Sequence, residues 1–343
     1  MAISGKGPPL VRASHWLSHV EFDLRSPVSI PWLRELSRDH TYIRYDHRGC
    51  GLSDWTVPSF AFETWVDDLE AVVDMLRLRR FALFGLSQGG AIAIAYAARH
   101  PERVSHLVLL GAYSRGRLRR EPTSQQEDEA ATLLKLIRLG WGRDNAAFRQ
   151  FFTSLFLPDS TQEQQQWFND FERVSATPEN AAKILETAFQ IDVTAQAAAL
   201  QVPTLICHAR HDAMVPYEEG CALAELIPSA RFVPLDSRNH VLVEDEPAWR
   251  QFLSEFRSFV GAGKGGRHIS AGYFDGVGLT QMEFEVLWWV ARGLDNRAIA
   301  AAMTKSEKTV RNQVSTIFRK LNVRSRAEAI VLTREAGLAG LSV

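Results

Sequence analysis

The stretch "FGLSQGG", residues 84–90, is the feature that most limits how this chain can fold. The apolar run Phe81–Leu86 predicts a short buried strand, and Ser87 follows it between Gly85 and Gly89. The run "GGAIAIAYAARH" after the serine is compatible with a helix. Glycines on both sides of the serine permit a strained backbone and a close approach of helix to strand, where a Cβ would clash. The pattern predicts a strand–turn–helix elbow that presents the Ser87 hydroxyl.

Short apolar runs alternate with helical patterns through residues 1–260. Continuous apolar strands that alternate with helices form parallel sheets covered on both faces, so this region is predicted to be α/β with a mostly parallel sheet. Residues 120–200 contain helical patterns only, which predicts a helical cap inserted between two strands. The predicted strands are Pro9–Ala13, Thr41–Tyr45, Phe81–Leu86, His106–Leu110, Val202–Cys207 and Arg231–Leu235, with helices such as Phe62–Leu78 and Gln88–Arg99 between them.

Two further polar residues follow predicted strands downstream of the serine. Asp212 lies in the loop after "TLICHA", and His240 lies in the loop after "FVPL". Side chains at the carboxyl ends of such strands converge on one crevice of an open α/β sheet. Serine becomes a nucleophile when a base takes its proton, and a carboxylate supports the charged imidazole. We predict a Ser87–Asp212–His240 triad. The alternative is that Ser87 only caps a helix and that the other two are ordinary loop residues.

Together these motifs resemble the α/β-hydrolase superfamily. The segment "YDHRGCGLSD", Tyr45–Asp54, matches the D-x-R-G-x-G-x-S segment of that family. The resemblance implies that Ser87 is the nucleophile, that His240 is the general base and acid, and that Asp212 orients the imidazole.

The resemblance also implies an oxyanion hole built from the backbone N–H groups of Gln88 and Trp16. At two points the chain departs from the family. The sequence "ASHWLSH" stands where a His-Gly pair precedes the oxyanion loop. The first predicted strand begins at Pro9, so we expect either that the opening β-hairpin of the family is missing or that the start codon has been placed late.

Aromatic residues are concentrated in the predicted cap. Packing within a helical core explains part of this enrichment. The alternative is that two or more of these rings line a pocket over Ser87, which would favour an apolar or ester-bearing ligand. The eight rings between residues 141 and 171 are Trp141, Phe148, Phe151, Phe152, Phe156, Trp167, Phe168 and Phe171.

A glycine-rich stretch separates two parts of opposite charge. "GAGKGGRH", residues 261–268, predicts a flexible linker over 261–274 between a body at 1–260 and a module at 275–343. Residues 279–343 carry ten Lys/Arg and six Asp/Glu, a net +4, whereas the remainder of the chain carries −5. A small basic module on an acidic body suits a nucleic-acid binder with a separate sensor.

The basic module shows the pattern of a helix-turn-helix. Thr280 and Glu283 form a predicted capping box for a first helix, which Gly293 ends. Asn296 is predicted to cap a second helix that runs through Met303. A third helix then follows, which in this motif enters the major groove of DNA.

The third helix, Glu307–Leu321 with Ser306 as its cap, has two distinct faces. One is a predicted buried stripe consisting of Val310, Val314, Ile317 and Leu321. The other offers cations, an amide and a hydroxyl for phosphates and base edges. Its members are Lys308, Arg311, Asn312, Ser315 and Arg319.

This module closely resembles the LuxR-type helix-turn-helix family, through "LTxxExEVL", "KTVRN" and "KLNVRSRAEA". The resemblance implies that the last helix, Ala327–Ala336, helps the module to dimerise. It further implies base contacts by Arg311, Asn312 and Ser315, and phosphate contacts by Lys308, Thr309 and Lys320.

We therefore predict a DNA-binding transcription regulator with a ligand-sensing hydrolase-like domain, acting as a homodimer on a pseudo-palindromic operator. The alternative is an active serine esterase or lactonase whose turnover is coupled to DNA binding. The expected ligand is small and apolar or ester-bearing.

No cofactor or metal is expected, since the other histidines, His15 among them, lack metal-ligand spacing. The cysteines, Cys50, Cys207 and Cys221, have no paired spacing, which indicates a reducing compartment. With no apolar run long enough to cross a bilayer, the predicted location is the cytoplasm.

Overall fold

A computed structural model describes residues 1–143, 146–261, 279–303, 305–321, 323 and 325–335. The chain divides into two compact units, one of residues 1–228 and 234–260 and one of residues 261–343 with the short segment 229–233. Of the linker predicted over 261–274, all but the first residue lies outside the described residues.

Seven strands form one sheet, in the order β1-β3-β2-β4-β5-β6-β7. Strand β2 pairs in parallel with β3 and β4, and β4–β5 and β5–β6 are also parallel, which confirms the predicted α/β fold. The order reverses between β2 and β4, and ligands of such sheets bind beyond the carboxyl ends of the strands that flank this point. The strands are β1 Ala2–Ser4, β2 Pro9–Arg12, β3 Thr41–Arg44, β4 Phe81–Leu86, β5 Val104–Leu110, β6 Thr204–Ala209 and β7 Ala230–Leu235.

One strand that the sequence pattern did not predict precedes Pro9. Ala2–Ser4 pairs antiparallel with β3 at the edge of the sheet, and Gly5 and Gly7 turn the chain at φ +79° and +130°. A three-residue, partly exposed strand has almost no hydrophobic pattern, so only its pairing reveals it. Strand β6 begins at Thr204 and not at Val202, because the intervening proline has no N–H for the ladder.

Helices cover the sheet, and five of them lie between β5 and β6 in the segment interpreted as a cap. Threonines begin three of the cap helices, where the Thr123, Thr161 and Thr177 side chains each accept a hydrogen bond from a backbone N–H of the first turn. The cap helices are α4 Ser124–Gly140, α5 Ala146–Phe156, α6 Gln162–Ser175, α7 Pro178–Phe189 and α8 Thr194–Ala198. The other helices of this unit are α1 Ser29–Ser37, α2 Phe62–Met75, α3 Gln88–Arg99, α9 Tyr217–Leu226 and α10 Pro247–Gly261.

The second unit consists of α11 Gln281–Ala291, α12 Asn296–Ala302, α13 Glu307–Leu321 and α14 Arg326–Glu335. The capping box of Thr280 and Glu283 is present. The cap predicted at Asn296 is wrong: Asp295 accepts from the Ala298 N–H at 2.7 Å. Both residue types cap helices well, so the sequence alone does not choose between neighbours.

A small core holds these four helices together. The predicted stripe on α13 is confirmed, since Val310, Val314 and Ile317 are buried and Leu321 is partly buried against them. Among the helices of both units as described, none has the length and apolar character needed to span a lipid bilayer.

Candidate active site and DNA-binding helix

Ser87 stands at a strained turn between β4 and α3. Its backbone has φ +53° and ψ −127°, a region that side-chain-bearing residues rarely occupy. A Cβ on Gly85 would lie 2.6 Å from the Gly90 Cα, and one on Gly89 would lie 2.9 Å from the Ala13 carbonyl oxygen. The close approach of α3 to β4 and to the end of β2 therefore requires glycine on both sides of the serine.

The Ser87 hydroxyl does not serve α3 as a cap. Ser87 occupies the N-cap position, but its side chain accepts no hydrogen bond from the first turn. It lines a cavity of about 750 Å³ together with His240, Trp16 and Gln88. The structure thus brings together, in one cavity, four of the five residues predicted for the hydrolase site, and the fifth, Asp212, contacts His240.

Asp212 and His240 form a buried hydrogen-bonded pair. His240 Nδ1 lies 2.7 Å from Asp212 Oδ2, and the N–H groups of Met214 and Val215 each donate to Asp212 Oδ1 at 2.9 Å. Burial works against ionisation of Asp212, but His240 and the Val215 N–H outweigh it and hold the pKa of this carboxyl below its usual value.

The Asp212 carboxylate also sets the tautomer of the histidine. With Nδ1 donating to Asp212, neutral His240 has a lone pair on Nε2. This atom is buried and has no hydrogen-bond partner within the described residues. The imidazole is therefore held by its carboxylate, with Nε2 able to accept a proton.

Gly111, which was not among the predicted site residues, makes room for this histidine. It follows β5 at φ +56°, and a Cβ there would lie 3.0 Å from His240 Cε1. A glycine that directly ends an apolar strand is a detectable signal. Its purpose emerges only when the strand is placed beside the His240 loop.

The predicted oxyanion residues come from two different segments that line the same cavity. Gln88 is the first residue of α3, so its N–H has no partner inside the helix. Trp16 follows β2, and its indole Nε1 donates to the Ala181 carbonyl at 3.1 Å. The ring stacks on Phe156 with centroids 5.3 Å apart, and the next residue, Leu17, has φ +57°. The Trp16 loop is therefore anchored by its side chain to the cap.

His15, which was not among the predicted site residues, lines the cavity. Burial and the nearby Arg12 charge lower its pKa to about 3, so the ring is neutral. Its Nδ1 lies 3.0 Å from the Trp16 carbonyl oxygen, an acceptor, so Nδ1 carries the proton and Nε2 is an acceptor.

Several cap rings do line the cavity, and the remaining ones pack around Trp16 or elsewhere in the cap. Trp141 and Phe152 lie with ring centroids 5.5 and 6.3 Å from that of Trp16. The cavity wall over Ser87 is thus aromatic on its cap side. The lining rings are Phe151, Phe156, Phe168 and Phe171.

Helix α13 exposes five of the six residues predicted to contact DNA. Two of these side chains make contacts within α13. Arg311 Nη2 lies 2.8 Å from Glu307 Oε1, and the Ser315 hydroxyl donates to the Arg311 carbonyl at 3.0 Å. The five exposed residues are Lys308, Thr309, Arg311, Asn312 and Ser315.

Lys320, the sixth, has a different environment. Its Nζ lies 2.7 Å from Glu283 Oε2, and the two side chains are 29% and 11% exposed. Glu283 also accepts from the Thr280 N–H at 2.7 Å. Hydrogen bonds from Lys320 and from the Thr280 backbone lower the pKa of Glu283 to about 2. Lys320 thus ties α13 to the start of α11.

Comparison with known proteins agrees with both halves of this picture. Residues 24–247 match the α/β hydrolase fold family. The chain belongs to that family. Residues 277–333 match the LuxR family of bacterial regulatory proteins. The chain is therefore an α/β-hydrolase domain fused to a LuxR-type DNA-binding helix-turn-helix.

The related proteins cover the hydrolase part. AB hydrolase superfamily protein YisY of Bacillus subtilis (strain 168) is 29% identical over 74% of this chain and 92% of its own length. Pyrrolizixenacetamide deacetylase of Xenorhabdus hominickii is 26% identical over 75% of this chain and 92% of its own. The solved esterase EaEST of Exiguobacterium antarcticum aligns with a TM-score of 0.65 at 26% identity, covering 76% of this chain and 94% of its own.

The strain at Ser87 predicts a stability difference between two small substitutions. Ser87→Gly should unfold with a free energy about 1 kcal/mol higher than Ser87→Ala, because only glycine adopts positive φ without cost. Denaturant unfolding of both full-length variants measures the difference. Equal stability would show that the turn is unstrained.

The Glu283–Lys320 pair predicts a pH dependence in the DNA-binding unit. The pKa of Glu283 is lowered by folding to about 2, from about 4.3 in an unfolded chain. Its stabilising contribution is therefore complete above the unfolded value and is lost as pH falls towards 2. Hydrogen exchange measures the stability of α13 at each pH. Protection of its amides should fall as the pH is lowered towards 2 in the wild type, but should not show this fall in Glu283→Gln. Glu285→Gln serves as the control and should behave as the wild type.

Proposed function

We propose that the chain is a transcription regulator whose hydrolase domain, residues 1–260, binds a small apolar or ester-bearing ligand beside Ser87. Residues 275–343 would carry this signal to DNA. The fusion of a LuxR-type unit to a domain with a 750 Å³ aromatic cavity is the observation that carries the proposal. A cavity of this size suits a small organic molecule.

The second candidate is an active serine esterase or lactonase whose turnover is coupled to DNA binding. The strained Ser87 backbone and the 2.7 Å contact between Asp212 and His240 support it. The names deacetylase and esterase, borne by related proteins, support acyl transfer to water as its reaction class. The two candidates share the ligand site and differ in whether a covalent bond forms.

In the enzymatic case each side chain has a defined task. His240 Nε2 takes the Ser87 proton as the hydroxyl oxygen attacks the ester carbonyl, and Asp212 stabilises the imidazolium that forms. The backbone N–H groups of Gln88 and Trp16 would stabilise the negative oxygen. Nε2 then protonates the departing alcohol. Water attacks the acyl carbon while Nε2 takes its proton, and Nε2 returns that proton to the Ser87 oxygen as the bond to the acid breaks.

For the DNA-binding part we propose that Arg311, Asn312 and Ser315 face base edges and that Lys308 and Thr309 meet phosphates. The unit would act as a dimer on a two-fold symmetric operator. The exposure of all five residues supports this arrangement. The contact of Lys320 with Glu283 makes a structural role for this lysine the stronger proposal.

Base recognition predicts a specific effect of Arg311→Ala. Loss of the guanidinium should weaken binding to the operator by about 1–3 kcal/mol. It should weaken binding to random DNA less, so the ratio of the two affinities should fall. Lys308→Ala is the matched control on the same helix, and should weaken both DNAs alike while flattening the salt dependence. Fluorescence anisotropy on both DNAs over a salt series measures these effects. If Arg311→Ala leaves the ratio of operator affinity to random-DNA affinity unchanged, a different face of α13 contacts the bases.

The two candidate functions predict different effects of Ser87→Ala on the ligand response of DNA binding. The change removes one oxygen, so DNA binding should persist while labelling by a small phosphonate or ester electrophile is lost. A ligand response of DNA binding that survives in this variant supports a receptor. A response that vanishes although the ligand still binds supports catalysis as part of the switch. Wild-type protein that resists every electrophile would contradict the enzymatic candidate.

A further inference from the structure

Two charged side chains, Arg120 and Glu219, lie in the wall of the same cavity and take no part in the serine chemistry. Arg120 follows a short 3-10 helix, Arg117–Arg119, and Glu219 lies in the first turn of α9. Arg120 Nε is 3.2 Å from Glu219 Oε1, and the two side chains are only 18% and 12% exposed. They form an ion pair in a wall that is mostly apolar but also carries the charged residues Arg117, Asp128 and Glu129.

The Arg120–Glu219 pair has unused hydrogen-bonding capacity. Glu219 Oε2 is buried and has no partner within the described residues. Two contacts hold the Arg120 side chain in place. Its Nε donates to the Arg115 carbonyl at 2.8 Å, and its guanidinium carbon lies 5.3 Å from the Tyr113 ring centroid. In the part of the chain that the structure describes, no hydrogen bond uses Nη1 or Nη2 of Arg120. Since buried polar atoms are costly without partners, this corner is suited to a ligand that supplies them.

The charge balance of the corner decides which ligand group fits. Burial raises the pKa of Glu219, and the charges of Arg120 and Arg115 oppose that rise. At the unpartnered atoms themselves, a ligand carboxylate would meet the like charge of Glu219 and an ammonium would meet that of Arg120. A neutral group with both an N–H donor and a carbonyl acceptor satisfies Glu219 and Arg120 together.

We propose that the cavity recognises a small ester that carries a neutral carboxamide group. Its N–H donates to Glu219 Oε2, and its carbonyl accepts from the Arg120 guanidinium. Its apolar body lies along the cap phenylalanines, with the ester towards Ser87. This inference rests on the proposed ligand site and names the chemical class that the site selects.

Binding to the full-length Ser87→Ala variant tests the inference without turnover. The probes are methyl adipamate, whose acyl chain ends in a carboxamide, and methyl 6-methylheptanoate, its apolar isostere, with shorter and longer homologues of each. Quenching or enhancement of tryptophan fluorescence reports binding, since Trp16 lines the cavity. At the chain length that fits, the amide should bind about tenfold more tightly than the isostere.

A second substitution identifies the residues responsible. Glu219→Gln in the same background leaves Arg120 uncompensated, so the preference should move by about tenfold towards monomethyl adipate, which ends in a carboxylate. Glu218→Gln is the matched control, because this neighbouring glutamate is exposed and does not line the cavity. It should retain the preference for the amide.

Equal binding of amide and isostere at every chain length would overturn this inference alone. Identical preferences in Glu219→Gln and Glu218→Gln would also overturn it. Absence of binding by any probe would overturn the ligand site itself, and the carboxamide inference with it.

Discussion

The positive φ of Ser87 is the constraint on which the hydrolase site depends. At this turn α3 approaches β4 and the end of β2 so closely that Gly85 and Gly89 have no room for a Cβ. The Trp16 loop follows β2, and Trp16 and Gln88 line the same cavity as Ser87, whose side chain makes no helix-cap hydrogen bond. The hydroxyl and the oxyanion residues therefore share one cavity.

Two buried pairs of charged or polar side chains also belong to the site. Asp212 stays ionised in a dry environment because His240 and two backbone N–H groups compensate its charge. Arg120 and Glu219 are a second compensated pair in the same cavity, but with polar atoms left without partners. Each pair leaves one buried atom without a partner in the described residues, His240 Nε2 in the first and Glu219 Oε2 in the second. Nε2 is the atom proposed to take the Ser87 proton, and Oε2 is the atom proposed to bind the ligand N–H.

In the DNA-binding unit, Glu283 has two structural roles. Glu283 completes the capping box of α11 and at the same time holds Lys320 near the end of α13. The orientation of the exposed face of α13 is therefore coupled to the first helix by charge as well as by the core. A motif resemblance that assigns Lys320 to phosphates does not contain this contact, since the two residues meet only after folding.

The sequence by itself determined what local patterns encode. The elbow at Ser87, the buried stripe on α13 and the capping box at Thr280 depend on residues within a few positions of one another, and each was predicted. The structure was needed for features that depend on pairing between distant segments. These include the edge strand Ala2–Ser4, the space that Gly111 leaves for His240, and the meeting of Arg120 with Glu219. Periodicity reports which face of an element is buried, but which charges and cavities meet is decided only when elements from distant parts of the chain pack together.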